Sequence, residues 1–248
     1  MQLITSIATA VLLASLFGPA AQGSPFVEGE YLVYADGLTT PLSSLQQLPI
    51  ILRDNQTPPP NPTTVITMEG FDFPYPQTPT KSEPVFTLEG SSVLKMQGGK
   101  ILQYPYGPGI VLNDNSSLHI SGAQITKQAE QNQFGVSAAV VASDNASVLV
   151  SSGELSISGP VEGPNPPVFF MEGSSTLAIT GGELFAGGNG TPIVMATEAA
   201  KVEISGGQFT TNATFFDDPY AVEASGNSQV VITGGDFEST WGALALDN

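Results

Sequence analysis

A nine-residue pattern returns six times along the chain, and its spacing admits few folds. The segments are Val93–Ile101, Ser117–Ile125, Ser147–Leu155, Thr176–Leu184, Lys201–Phe209 and Gln229–Phe237. Each reads as an apolar alternation, then two small residues, usually Gly-Gly, then a further apolar position. The second small residue falls at 99, 123, 153, 182, 207 and 235, so the period varies between 24 and 30 residues. A second block precedes each one, opening at Phe86, Ile110, Val140, Phe169, Val194 and Val222. Its apolar residues also alternate, the period-2 signature of a strand with one buried face. Turn signals such as Asp114-Asn115, Asp144-Asn145 and Gly173-Ser174 link the two blocks, and Asn and Gly accept the left-handed backbone that such turns use.

Each repeat therefore predicts three short strands, and none holds a helix-length amphipathic stretch. Short strands at this period stack as the coils of a parallel solenoid, with strands of successive coils paired about 4.8 Å apart. A leucine-rich repeat would show Leu-x-x-Leu-x-Leu, which is absent. A left-handed β-helix would show strict hexapeptides, which the variable spacing contradicts, and crossover handedness favours a right-handed coil. The expectation is an all-β, right-handed parallel β-helix of about six coils. Five inward rows define its core, headed by Phe86, Leu88, Leu94, Met96 and Ile101 and apolar through all six coils.

This architecture resembles the right-handed parallel β-helix, or pectin-lyase-like, superfamily. The Gly-Gly-x-apolar step is similar to the repeats of polymorphic membrane proteins and related adhesin-like surface proteins, and Phe209-Thr-Thr-Asn212 matches their companion Phe-x-x-Asn motif. The resemblance spans about 85 to 246. It implies either a surface interaction scaffold or a carbohydrate-active enzyme, because fold alone does not fix function.

Composition narrows the function. Against 23 Asp and Glu stand 6 Lys and Arg, a net charge of -17. Such a field repels nucleic acid and anionic membrane surfaces. No Cys is present, and His119 is the single histidine, which excludes disulfides and thiolate chemistry. Residues 1–23 read as a signal peptide: an apolar Leu3–Phe17 stretch is followed by small residues around Ala20, Ala21 and Gly23. Secretion to the extracellular space or cell surface is expected, with sequons at Asn55, Asn115, Asn145, Asn189 and Asn212 as glycosylation candidates.

Residues 24–84 are expected to form an N-terminal cap and Pro-rich connector, with a short capping helix opening at Thr40-Pro41 and carrying Leu42, Leu45 and Leu48. Val65-Ile-Thr-Met-Glu-Gly70 echoes Val85-Phe-Thr-Leu-Glu-Gly90 and reads as an incomplete first coil. The β-helix occupies 85–248. Ala243–Asn248 matches the opening of a seventh coil, so the sequence is expected to be truncated there, or else its open coil self-associates.

No catalytic constellation emerges. The resemblance to pectate lyases implies a carboxylate cluster and a basic proton acceptor, and the best basic group is Lys95 and His119 in one outward row, with Lys100 and Lys127 near. The resemblance to polygalacturonases implies paired aspartates and a Gly-His-Gly step; Asp217-Asp218 is an adjacent pair, but neighbouring strand residues face opposite sides. Glycoside hydrolysis requires carboxyls about 5–9.5 Å apart, a condition that stacked Glu154 and Glu183 meet at its lower limit. No cofactor is expected; calcium is the alternative, with Asp114 and Asp144 stacked in one row and Glu154 and Glu183 in another, their mutual repulsion otherwise relieved by screening and side-chain splay. An outward hydroxyl row, Ser121, Ser151, Thr180, Ser205 and Thr233, suits glycan, ordered water or ice. The reading favoured is a non-catalytic scaffold for extracellular, cell-surface or cell-wall interaction, with a glycan or surface ligand. A polysaccharide lyase or glycoside hydrolase and an ice-binding protein are the alternatives.

Overall fold

The computed structural model describes strands at 26–28, 31–33, 39–41, 50–52, 65–68 and 72–73. It also describes residues 84–247 apart from 99, 104–106, 129–137, 160–165, 189–191, 213–219 and 240–241. The architecture is an all-β parallel solenoid, with no helix among the described residues. Three strand stacks form its walls. The first face runs from Ile50–Leu52 through Phe86–Leu88, Ile110–Leu112, Val140–Ala142, Phe169–Met171, Val194–Ala196 and Tyr220–Ser225 to Gly242–Asp247. The second face runs from Val65–Met68 through Val93–Met96 to Gln229–Ile232, and the third from Asp72–Phe73 through Lys100–Gln103 to Asp236–Glu238. About four turns are enclosed, those opening at Ile110, Val140, Phe169 and Val194, and each has a further turn on either side.

The inward rows stack in the register that the alternation predicts. Ile110 pairs with Phe86 and Val140; Leu118 with Leu94 and Val148; Ile125 with Ile101 and Leu155. All are sealed from solvent or nearly so. A strand slipped by one residue would turn its whole apolar set outward, so burial on one side fixes the register. Towards the last turn Val230, Ile232 and Phe237 are only partly buried, and Phe237 stacks on Phe209 with ring centroids 4.5 Å apart.

Three corners join the faces. At the first corner one residue per turn takes a left-handed backbone: Gly90, Asp114, Asp144, Gly173, Glu198 and Gly226, all with φ between 55° and 67°. The small residues Ser92, Ser116, Ala146, Ser175 and Ala200 close this corner on the inside. At the second corner the Gly-Gly step brings chains into close approach. A Cβ on Gly181, Gly206 or Gly234 would lie 2.3–2.4 Å from the carbonyl oxygen of Ser151, Thr180 or Ser205 one coil earlier. The next glycine, 182, 207 or 235, has φ near +104°, a conformation that side chains rarely adopt. In the turns carrying Gly122-Ala123 and Ser152-Gly153 the second and third strands merge into Ser117–Gln128 and Ser147–Ser158, with a register irregularity at the bend. The expected three separate strands are therefore two in those turns.

The N-terminal region departs from expectation. Thr40 and Pro41 do not open a helix; they belong to strand Thr39–Pro41, the edge of a three-stranded antiparallel sheet with Tyr31–Val33 and Phe26–Glu28. Two β-branched threonines favour the extended form, and an edge strand tolerates proline. Phe26–Glu28 packs beside Val65–Met68, at the start of the second face. Leu42, Leu45 and Leu48 lie outside the described residues, as do residues 1–23, for which a signal peptide is expected. Val65–Met68 pairs with Val93–Met96 and so belongs to the second face, while Ile50–Leu52 fills the first-face position beside Phe86–Leu88. The segment thus belongs to a coil that precedes Phe86, as its echo of Val85–Gly90 implies, but its strand is a second-face one, since the strands of both faces share one alternation. Gly242–Asp247 does pair in parallel with Tyr220–Ser225, as the opening of a further coil should. Leu244 and Leu246 on it are exposed.

Candidate functional site

The turn acids of the first corner have a structural partner. The Asp114 carboxylate accepts from the Gly90 amide at 2.9 Å, Asp144 from the Asp114 amide at 3.2 Å, and Glu198 from the Gly173 amide at 3.0 Å. Each acid thus satisfies the exposed amide of the left-handed residue one coil earlier. Such charge-assisted bonds are stronger than neutral ones. Glu172 lies beside this row, and its carboxyl is raised above the usual range by burial, then by the charges of Glu198 and Asp144. On the first face, burial also raises Glu223.

On the third face Glu154 and Glu183 are register partners, as the sequence implies. Glu154 accepts from the Gln124 amide nitrogen at 2.9 Å, and the Asp114–Asp144 pair sits apart from it at the first corner. Among the described residues no group of three or more His, Asp and Glu is placed to hold a metal ion.

The expected basic group divides. His119 and Lys95 are register partners on the outer second face, and the His119 imidazole is lowered by burial and then by the Lys95 charge. Lys127 does not join them. It lies two residues after the inward Ile125, in register with Ile157, and is fully enclosed. Its ammonium donates to the Gly107 carbonyl, and burial lowers its pKa to about 7. The two-residue period that sets Ile125 inward held the signal for this placement.

The hydroxyl row also bonds within the fold. Ser151 donates to the Ile120 carbonyl at 3.3 Å, Thr180 to Val150 at 3.4 Å and Thr233 to Ile204 at 3.4 Å, with Ser121 reaching Met96 at 3.5 Å. Each hydroxyl caps the second strand of the coil before it. Asn115 and Asn145 are exposed and occupy the same turn position in successive coils, each amide bonding the coil before. Asn212 is exposed on the third face, whereas Asn55, Asn189, Asp217 and Asp218 lie outside the described residues.

Sequence reasoning missed Phe185. It faces outward between the inward Leu184 and Ala186, and its ring lies over Gly187. A Cβ there would meet ring atoms Cε1 and Cζ at 2.7 and 2.9 Å. The Phe-x-Gly spacing on one strand face was visible in the sequence, but the rotamer that brings the ring over Gly187 was not.

These features define a parallel β-solenoid whose outer polar rows largely bond their own neighbouring coils. Comparison with protein-family models, curated proteins and solved structures finds no match for this chain.

Proposed function

We propose that the protein is a secreted, non-catalytic right-handed β-helix that serves as an interaction scaffold at a cell surface or cell wall. The pectin-lyase-like and adhesin-like affinity rests on the Gly-Gly-x-apolar repeats and the Phe209–Asn212 motif. One observation carries the functional reading: the turn acids and most of the outward hydroxyls are committed to the fold. Asp114, Asp144 and Glu198 bond backbone amides, Ser121, Ser151, Thr180 and Thr233 bond carbonyls, and Lys127 is turned into the core. A general base must reach the proton it abstracts, and an enclosed amine held by a carbonyl does not.

The experiment is a panel of neutral and acidic polysaccharides, assayed both for binding and for new chain ends. Saturable binding with chain length unchanged is the expected result. New unsaturated or reducing ends would reassign the protein to the lyases or hydrolases, and thermal hysteresis without glycan binding would reassign it to ice. Repeating the panel with and without Ca²⁺ tests the acidic pairs. The amide-bonded Asp114 and Asp144 leave binding independent of calcium.

A further inference from the structure

Phe185 and Asn212 stand on the same outer face of the third strand stack. Residues 183, 185 and 187 point outward on one strand and 208, 210 and 212 on the next, as the buried Leu184, Ala186, Phe209 and Thr211 between them require. In the ladder Gly187 is the direct partner of Asn212, and Phe185 of Thr210. Because the Phe185 ring reaches over Gly187, its distal edge stands beside Asn212 across a single strand-to-strand step, which in a sheet is roughly 4.8 Å. Gly187 carries no side chain to lift the ring and is buried beneath it, while Phe185 keeps part of its surface exposed. Small polar residues surround the ring: Ser156 and Ser158 on one side, Thr210 on the other. None is tall enough to cover it. The Asn212 carbonyl accepts from the Gly188 amide at 3.1 Å, which fixes the backbone while leaving the side chain outward. Asn212-Ala-Thr214 is a sequon.

We propose that Asn212 carries an N-linked glycan whose first sugar docks its apolar face on the Phe185 ring. The chemistry fits both partners. A flat aromatic ring is a large apolar platform with an electron-rich face, and the ring hydrogens of an N-acetylhexosamine are its natural cover. The linked amide holds the sugar beside the ring, so docking costs little additional ordering. The arrangement sets Asn212 apart from Asn115 and Asn145, which share one turn position in adjacent coils and would crowd each other's glycans.

The inference rests on the secretory reading, so the test supplies a heterologous leader in a eukaryotic secreting host. Occupancy at Asn212 is read by peptide mass spectrometry, and melting temperature is read for intact glycan, glycan trimmed to one sugar, and Asn212→Gln. Full occupancy is expected. Asn212→Gln should lower the melting temperature by about 2–4 °C, and trimming to one sugar should not. In Phe185→Ala, or in Gly187→Ala, where the new methyl lifts the ring, Asn212→Gln should change nothing. An empty Asn212, or an equal loss with and without the ring, overturns the proposal. So does ring-dependent binding of a soluble oligosaccharide to Asn212→Gln protein without any glycan effect in the wild type. The secretory reading fails separately, if residues 1–23 fused to a reporter do not direct export.

Discussion

The first and second corners of each coil solve the same geometric problem by opposite means. Both reverse the chain with a positive φ, and both stack tightly on the coil before. In the coils that turn at Gly181, Gly206 and Gly234, the neighbouring carbonyl oxygen occupies the place where a side chain would go, so that position is closed to everything but glycine, whereas the coils with Ala123 and Ser152 bend with a register irregularity instead. At the first corner the left-handed residue is glycine in three coils and an acid in the other three: Gly90, Gly173 and Gly226 against Asp114, Asp144 and Glu198. A left-handed non-glycine residue costs roughly 1–2 kcal/mol. The acid offsets that cost by bonding an amide of the coil before. The comparison teaches that a row of acids on a solenoid edge can be a hydrogen-bonding device of the fold, and so need not signal metal or catalysis.

The largest effect is expected away from both corners, on the third face. Lys127 is enclosed beneath it and held by the Gly107 carbonyl. Its pKa is about 7 when folded, against an ordinary lysine value near 10.5. Unfolding therefore takes up a proton between those values, and stability rises with pH from about 7 to about 10.5 as the penalty of a buried charge is relieved. Lys127→Met should raise stability at pH 7 by on the order of 4 kcal/mol and should flatten that slope. Denaturant titrations of both proteins from pH 6 to 10 check it; a parallel pair of curves would show that Lys127 keeps its charge compensated.

Next in size is the second corner. Gly206→Ala would place a methyl 2.4 Å from the Thr180 carbonyl oxygen and should cost about 3 kcal/mol, read as a lowered denaturation midpoint. At the first corner, Asp144→Ala keeps the left-handed strain and loses the bond to the Asp114 amide. It should cost about 1–2 kcal/mol. Asp144→Gly, which also relieves the strain, should cost measurably less. The smallest effect separates the corners most sharply. Gly226→Asp meets the Glu198 backbone at 3.2–3.3 Å, close but yielding, and supplies the missing acid for the Glu198 amide. Its change should stay under about 1 kcal/mol, and a loss as large as that of Gly206→Ala would erase the distinction drawn here.

Much of this fold was legible because two local signals agree. Alternation set the inward rows from Phe86 to Phe237, and the glycine pairs marked the bends, so each repeat confirmed the register of the last. The same alternation failed where it had no glycine pair to anchor it. Val65–Met68 could be read onto either face, and only its pairing with Val93–Met96 decides. Thr40-Pro41 carried a helix-opening signal, but pairing with Tyr31–Val33 overrode it. At the candidate site, the stacking of Glu154 on Glu183 and of His119 on Lys95 followed from register. The partners of Asp114, Asp144 and Glu198 did not, because an acid–amide bond between coils depends on a positive φ that no spacing announces. Phe185 was hidden for a similar reason: strand periodicity says which way a side chain leaves the sheet, while the angle of its ring depends on the bare Gly187 beside it.

Amide hydrogen exchange at five first-corner residues shows whether the edge acids belong to the fold. The amides of Gly90, Asp114 and Gly173 are bonded by the acid of the following coil. Those of Asp144 and Glu198 are followed by Gly173 and Gly226, which have no acid to offer. Slow exchange is expected at Gly90, Asp114 and Gly173, fast exchange at Asp144 and Glu198, and loss of Asp114 protection in Asp144→Ala. Uniform exchange across the five, unchanged by that substitution, would contradict a role in the fold and return the acid row to the candidates for ligand binding.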